Sequence, residues 1–304
     1  MLPVLQPESP PFAGAVLPSP ADAFRPDGAT DGNIVRIRPP RPWEALDLRS
    51  LWRFRDLLLA LAARDIKLRY RQTALGVLWV VLQPLLAAGI FAFVFGRVAH
   101  LDSGGVPYVL FCYAGLLAWN LFSSVVLKAS VSLVSNASLV SKIFFPRVVL
   151  PFSAVISALL DFAIGLVVGV ALMLACGKVP TFALLAAPFW LALLVLLATG
   201  AGLICAALAV SYRDVTHILP VTLQLLLYGS PVGYTVAVIP EGLPRTLYKL
   251  NPIAPLLEGF RDALLGYGFV GSRSAIYAIT VAVLVFLAGL IFFRRMERQF
   301  ADVI

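Results

Sequence analysis

Six long runs of apolar residues constrain the fold of this chain more than any other feature of its sequence. Each run is close to the roughly 20 helical residues that cross a hydrocarbon core of about 30 Å. Only 13% of the 304 residues are charged, against about a quarter in soluble proteins. We therefore predict an all-α integral membrane protein with six transmembrane helices. The runs lie at residues 74–97, 107–130, 148–175, 183–210, 217–239 and 274–293. The sequence YGSPVGY interrupts the fifth run and either bends that helix or ends it.

The residues before the first run divide into two parts. Residues 1–42 are rich in Pro, Ala, Asp and Gly, and we predict a disordered cytoplasmic tail because they cannot bury enough apolar surface to offset ordering. Residues 43–72 place apolar side chains at helical spacing among cations, which predicts an amphipathic helix on the membrane surface. A helix packed against another protein is the alternative. The apolar positions are Leu51, Phe54, Leu58, Leu61 and Ile66. Residues 73–304 then form the transmembrane domain.

The cations are distributed unevenly around these runs. With the N-terminus inside, most of the 24 Lys and Arg residues lie in the cytoplasmic parts of the chain, which is the distribution that membrane proteins adopt. Both termini are therefore predicted to lie in the cytoplasm. Membrane topology also accounts for the formal net charge of +8, which in a soluble protein would point to nucleic acid.

No catalytic or metal-binding constellation stands out in the sequence. His100 and His217 are far apart, and the three cysteines form no C-x-x-C pair. The segment ACGKVP, residues 175–180, lacks the glycine spacing and the Ser or Thr of a phosphate loop. We therefore predict that the chain is not an enzyme, and that energy for any active transport comes from a gradient or from a partner.

Asp161 is the ionisable residue of the third run that needs an explanation. A charged side chain inside a membrane costs several kcal/mol unless it is paired or hydrated, so it is a candidate for a functional site. No intramembrane Lys or Arg is evident as its partner. We expect a structural hydrogen bond to a neighbouring helix or to a second subunit, with an ion relay as the alternative.

Aromatic residues recur on one face of the second run, at steps of three and four residues. Sugar rings stack their apolar faces on aromatic rings, so this face is a candidate for a glycan path. Aromatic residues at membrane interfaces and against lipid are the common alternative. The face consists of Tyr108, Phe111, Gly115, Trp119 and Phe122.

Two segments between the runs are predicted to form short helices. Residues 132–151, SLVSNASLVSKIFFPRVVLP, are expected to present a cytoplasmic amphipathic helix that docks another protein. The alternative is a helix that rests on the lipid headgroups. Residues 240–273 are broken by Pro and Gly, and we expect short outer helices that dip into the membrane and return. A plain extracellular loop is the alternative.

Four signatures, in this order along the chain, resemble the permease subunit of type 2 ATP-binding-cassette (ABC) exporters, the branch that moves O-antigen, capsular polysaccharide or teichoic acid. The resemblance runs from Trp43 to the C-terminus. The signatures are RDIKLRYRQTALGVLWVVLQPLL from residue 64, NASLVSKIFFPRVVLP from residue 136, YRDV from residue 212, and SPVGY followed by IP and LNPIAPLLEGFRDALL.

This resemblance implies an N-terminal interface helix, a cytoplasmic coupling helix, outer re-entrant helices, and a homodimer with the polymer path between its subunits. It also implies two cytoplasmic ATPase subunits that bind ATP and Mg²⁺, so no cofactor is expected in this chain. The implied ATPase contacts are Asn136, Lys142, Phe144 and Phe145. The implied cytoplasmic entrance consists of Arg64, Lys67, Arg69 and Arg71. The candidate path residues are Tyr108, Phe111, Trp119 and Phe122, together with Trp79 and Gln83.

The function implied by the resemblance is export of a lipid-linked polysaccharide across the inner membrane of a bacterium. A type 2 ABC permease for a drug or a small lipid is the first alternative. A membrane enzyme of lipid-linked sugar metabolism would need acids or histidines that converge at one membrane face, and the sequence lacks them. An ion-coupled carrier would show inverted internal repeats, and no clear repeat is present.

Overall fold

A computed structural model describes residues 52–71, 76–179, 181–235, 239–266, 271–297 and residue 300. All of these residues belong to one compact unit, Pro42–Ile304. The tail predicted at residues 1–42 lies outside the described residues. The same holds for the side chains of Arg69 and Arg71.

The described ranges are helical and contain no strand. Within these described ranges, ten α-helices, one π-helical segment and one 3-10 segment follow each other. They are α1 (Arg55–Arg71), α2 (Gly76–Phe91) with a π-helical continuation (Ala92–Val98), α3 (Tyr108–Ser135), α4 (Ala137–Lys142), α5 (Val149–Ala175), a 3-10 turn (Phe182–Ala186), α6 (Ala187–Ser211), α7 (Val215–Tyr228), α8 (Leu243–Lys249), α9 (Ile253–Leu265) and α10 (Ser272–Met296).

Five of the helical stretches are long and apolar enough to cross a membrane, and they correspond to the first four predicted spans and the sixth. The prediction of an all-α integral membrane protein is thereby confirmed. These stretches are Leu78–Val98, Tyr108–Ser135, Val149–Ala175, Phe182–Ser211 and Ser272–Met296.

The fifth predicted span, residues 217–239, is shorter in the structure than the apolar run in the sequence. Its helix, α7, has 14 residues and leaves the helical conformation at Gly229. At 1.5 Å per residue, such a helix extends over about 21 Å, which is less than the hydrocarbon core. The sequence YGSPVGY therefore ends this helix.

Helix α3 is the centre of the bundle and packs against α2, α5, α6, α7 and α9. Its close contact with α5 depends on two glycines one turn apart, because a Cβ atom at Gly165 would lie 2.6 Å from Leu117 and one at Gly169 would lie 3.0 Å from Tyr113. The Tyr113 hydroxyl donates a hydrogen bond of 2.7 Å to the carbonyl oxygen of Gly165. Small residues thus let two apolar helices approach closely where water provides no driving force.

Helix α1 is the predicted interface helix, and it packs mainly against the start of α5. Leu61 and Ala62 are buried, while Leu59 and Leu68 on the same helix are exposed. Leu61 belongs to a hydrophobic cluster that also contains Leu133 at the end of α3. The helix therefore covers the end of the bundle where α4 lies, which is called the α4 end below.

The segment predicted as short outer helices contains α8 and α9, at the end of the bundle opposite to α4. Helix α9 is buried along nearly its whole length against α3, α6 and the 3-10 turn. Gly266 ends it in the left-handed conformation, with φ of 72°, which glycine adopts without strain. An exposed loop is thus excluded for residues 253–265.

Candidate functional site

The α4 end is held together by the side chain of Asn136, which lies between α3 and α4. Its Oδ1 atom accepts a hydrogen bond of 2.7 Å from Nη2 of Arg64 in α1. Its Nδ2 group donates to the carbonyl oxygen of Ser132 at 2.8 Å. Asn136 is buried and connects elements within the subunit. Lys67, by contrast, is exposed on α1.

The end of α4 and the residues that follow it differ in exposure, with some side chains on the surface and others buried. Lys142 is exposed, and Phe144 is 75% exposed. Phe145 is only 6% exposed and packs in the same cluster as Val148. Of the four implied ATPase contacts, the structure therefore places Lys142 and Phe144 on the surface, and Asn136 and Phe145 inside the subunit.

Arg147 anchors this segment to the end of α10. Its backbone N–H donates to Oε1 of Glu297 at 3.2 Å, and its Nη1 donates to the Glu297 carbonyl oxygen at 2.6 Å. Nη1 of Arg294 donates to the other oxygen of the Glu297 carboxylate at 3.2 Å. Phe144 thus projects from a segment whose base is fixed to the end of α10.

Asp161 forms an ion pair with Lys128 of α3, with 2.7 Å between Nζ and Oδ2. Lys128 also donates to Oγ of Ser157 at 3.2 Å. The two charged side chains are 19% and 17% exposed. The expected hydrogen bond to a neighbouring helix is present, but the expectation that no basic partner exists is wrong. Lys128 lies near the end of the second apolar run, and α3 continues beyond it to Ser135.

The ion pair belongs to a polar seam between α3 and α5. Residues four apart share one face of a helix, and polar residues repeat at this spacing on both helices. This spacing is the signal in the sequence that would have revealed the pair. The polar seam consists of Asn120, Ser124, Lys128, Ser132 and Asn136 on α3, and Ser153, Ser157 and Asp161 on α5.

Two cavities lie along the polar seam. The larger one, of about 430 Å³, is at the α4 end and is lined by Arg64 and Lys128 among others. The smaller one, of about 180 Å³, lies deeper and is lined by Gln83, Asn120 and Asp161 among others. Gln83, a predicted path residue in α2, therefore reaches the polar seam.

The predicted aromatic face of α3 is largely enclosed by the subunit itself. Phe111, Trp119 and Phe122 are buried in the main hydrophobic cluster. The Tyr108 hydroxyl donates to the carbonyl oxygen of Gly233 at 2.6 Å. Trp79 on α2 is exposed instead. The role of the aromatic rings in a path stays a prediction, while their burial in this structure supports packing.

The turn at residues 229–234, which ends the fifth apolar run, has its carbonyl groups satisfied by side chains from other elements. Asn251 donates to Gly229 at 3.1 Å, and Nη1 of Arg261 donates to Pro231 at 3.0 Å. With the bond from Tyr108 to Gly233, three of these carbonyl oxygens have a side-chain donor. Such partners permit irregular backbone at membrane depth.

Arg261 of α9 is the central side chain of this arrangement. It is 1% exposed, and its guanidinium group lies 4.0 Å from the ring centroid of Phe111. Glu258, one turn earlier, lies 3.9 Å from its Nη2. Burial raises the pKa of the neighbouring Asp262 to about 6, although Arg261 lowers it; Glu258 adds to the rise. The structure thus buries a cation within the segment that the sequence predicts as short outer helices.

Together, the five membrane-crossing helices and the partly buried polar seam define a multi-pass membrane protein. Lys142 and Phe144 lie at its α4 end in the exposed segment that the sequence predicts to dock a partner, called the docking segment below. Residues 56–265 match the family model described as ABC-2 type transporter. The chain belongs to this family, and the resemblance seen in the sequence is confirmed.

Curated relatives match the chain over nearly their whole length. The O-antigen export system permease protein RfbA of Myxococcus xanthus is 29% identical over 84% of this chain and 98% of its own. A protein of the same name from Klebsiella pneumoniae is 29% identical over 82% of this chain and 95% of its own. The polysialic acid transport protein KpsM of Escherichia coli is 28% identical over 78% and 92%. These relatives are thus named as export and transport proteins.

Proposed function

We propose that this chain is the membrane-spanning subunit of an ABC exporter that moves a lipid-linked polysaccharide across the bacterial inner membrane. The observation that carries the proposal is the similarity to O-antigen export permeases over nearly their whole length. The five apolar helices supply the membrane-spanning scaffold that such a subunit needs. ATP hydrolysis takes place in a separate subunit, which binds ATP and Mg²⁺.

The α4 end faces the cytoplasm in this proposal, and both termini lie on that side. The cations of α1 and of the docking segment support this orientation, because cytoplasmic parts of membrane proteins are enriched in Lys and Arg. An ATPase subunit binds Lys142 and Phe144. A movement of the ATPase subunit is transmitted to α10 through the Arg147–Glu297 contacts. It is transmitted to α1 through the Arg64–Asn136 hydrogen bond.

Two copies of the chain enclose the polysaccharide path, each with its own ATPase subunit. The exposed faces of α2 and α7 support a second copy, because both carry large apolar side chains at steps of three and four residues. Trp79 and Gln83 lie on the α2 face, so they are the candidate path residues that reach the surface of the subunit. The exposed apolar residues are Trp79, Leu86, Ile90 and Phe93 on α2, and Ile218, Val221, Leu225 and Tyr228 on α7.

Deletion of the gene tests the export function directly. Cells without the chain are expected to lose the polysaccharide from their surface and to accumulate lipid-linked glycan on the cytoplasmic side. Both quantities are measured by surface labelling and by analysis of extracted lipid-linked sugars. A plasmid copy of the wild-type chain is the control and should restore export. Surface polymer that persists in the deletion strain would exclude polysaccharide export and favour a drug or small lipid as the substrate.

The docking segment is tested by the double substitution Lys142→Ala and Phe144→Ala. Because both side chains are exposed, their loss removes a contact without opening the core. We expect the affinity for the ATPase subunit to fall at least about tenfold, as is typical for an exposed aromatic anchor. The measurement is co-purification followed by a binding titration in detergent.

Phe182→Ala supplies the matched control, because Phe182 is 92% exposed at the opposite end of the bundle. This variant should bind the ATPase like the wild type. Unchanged affinity of the double variant would show that the ATPase binds elsewhere. Asn136 and Phe145 are unsuitable for this test, since both are buried and their replacement would disturb the fold.

A further inference from the structure

The larger cavity of the polar seam has the composition of a binding site. It lies between α1, α3 and α5 and opens to the surface, and three charged side chains line it, Arg64, Asp65 and Lys128. Most of its remaining polar lining consists of hydroxyl and amide groups, which hydrogen-bond to phosphate oxygens. These groups belong to Ser132, Ser135, Asn136, Ser153 and Ser157.

The edge of this cavity is apolar. Leu68 of α1 and Val131 of α3 both line it and are exposed. A polar interior beside an exposed apolar edge matches a membrane lipid, whose charged headgroup adjoins its hydrocarbon tails. The position beside an amphipathic helix places the cavity at the depth where headgroups lie.

We propose that this cavity binds the phosphate headgroup of a membrane lipid between Arg64 and Lys128. Two lipids carry that chemistry: an anionic phospholipid of the bilayer, and the diphosphate-bearing carrier of the exported glycan. The second source rests on the proposed function. A volume of about 430 Å³ accommodates a diphosphate group with its first attached sugar.

The charges of the cavity permit an anion to enter. Arg64 pairs with the adjacent Asp65 at 2.9 Å, but this pair is exposed, with side-chain exposures of 44% and 36%. Exposed ion pairs contribute little stability, so a phosphate group can replace the Asp65 carboxylate and let it turn to solvent. Lys128 keeps its contact with Asp161, which offsets part of its charge, so Arg64 supplies most of the attraction for the anion. Arginine suits the site because its planar group binds phosphate in a bidentate manner.

Binding is measured on the full-length chain in maltoside detergent by native mass spectrometry, with four lipids titrated separately. Farnesyl diphosphate represents the polyprenyl carrier, and farnesol is its counterpart without phosphate. Dioleoyl phosphatidylglycerol represents the bilayer, and dioleoylglycerol is its counterpart without phosphate. At least one phosphate-bearing lipid should bind about tenfold more tightly than its counterpart, as expected for charge-assisted hydrogen bonds. The lipid that shows this preference identifies the source.

Two variants test the location of the site. Arg64→Gln removes the charge but keeps a hydrogen-bonding group near Asn136, and Ala154→Leu fills the cavity without changing any charge. Each should weaken binding of the preferred lipid about tenfold. Arg55→Gln is the control, because Arg55 is exposed on the same helix and does not line the cavity. It should leave affinity nearly unchanged, and the thermal midpoint of every variant verifies that it is folded.

Equal binding of lipids with and without phosphate overturns the proposal. So does a result in which Arg64→Gln and Ala154→Leu bind like Arg55→Gln. The experiments distinguish a wrong lipid-site proposal from a wrong export function. If the chain restores export but binds phosphate lipids independently of Arg64 and Ala154, the lipid site in the cavity is wrong and the export function stands. If binding depends on these residues but gene deletion does not change the surface polymer, the export function is wrong and the lipid site stands.

Discussion

Replacement of Arg261 by leucine is expected to destabilise the folded subunit by about 3–5 kcal/mol, the range for breaking a buried charged network. The substitution removes the hydrogen bond to the Pro231 carbonyl oxygen and the contact with the Phe111 ring. A buried carbonyl without a partner carries its full desolvation cost. The substitution also removes the cation that lies near Glu258. The 229–234 turn then loses the donor that holds it against α9.

The measurement is the thermal midpoint of the purified chain in detergent, together with the monodisperse fraction in size-exclusion chromatography. Arg261→Lys should give an intermediate loss, because it keeps the charge but not the planar group that both bonds Pro231 and stacks on Phe111. Arg273→Leu is the control. Arg273 is exposed at the start of α10, and exposed substitutions change stability by only about 0.5 kcal/mol. Equal midpoints for the leucine variants at positions 261 and 273 would show that Arg261 does not hold the turn.

Separate substitution of Lys128 and Asp161 is expected to be far more damaging than substitution of both together. Lys128→Met leaves the Asp161 carboxylate largely buried without its cation, and Asp161→Leu does the reverse. Each single change should cost about 3–5 kcal/mol, whereas the double change should be within about 1 kcal/mol of the wild type, because an apolar pair pays no desolvation cost. The pair is 2.7 Å apart and mostly enclosed between α3 and α5.

A double-mutant cycle on thermal or denaturant stability measures this difference, and the coupling energy should exceed about 2 kcal/mol. Lys67→Met provides the control for loss of a lysine at an exposed site on α1, and it should be nearly neutral. Additive effects of the two single substitutions would mean that the pair is hydrated and contributes no net interaction. An ion relay would instead require that the double variant, although stable, lose transport.

Local properties of the sequence predicted much of the scaffold. Apolar length alone located five membrane-crossing helices, because crossing a hydrocarbon core requires a continuous apolar helix. Helical spacing of apolar residues predicted α1. The Pro and Gly residues that interrupt residues 240–273 predicted the short helices α8 and α9. Each of these features depends on residues that are neighbours along the chain.

The candidate site depended on contacts that no local pattern determines. Periodicity grouped Phe111, Trp119 and Phe122 on one face of α3, but it did not show that the rest of the subunit covers that face. In the same way, the loop sequence predicted a docking segment, but only the packing shows that Phe144 is exposed and Phe145 is buried. Burial is a property of the neighbours in space, which a single helix does not specify.

The sequence by itself determined that this chain lies in a membrane and which family it belongs to, and it located the five segments that are long enough to cross. Tertiary structure alone decided that Lys128 partners Asp161, that Arg261 is buried under the 229–234 turn, and that the fifth apolar run stops at Tyr228. The physical reason is the same in each case. A charge or an irregular turn at membrane depth is tolerated only where other elements supply its partners, and those partners lie 22 residues or more away along the chain.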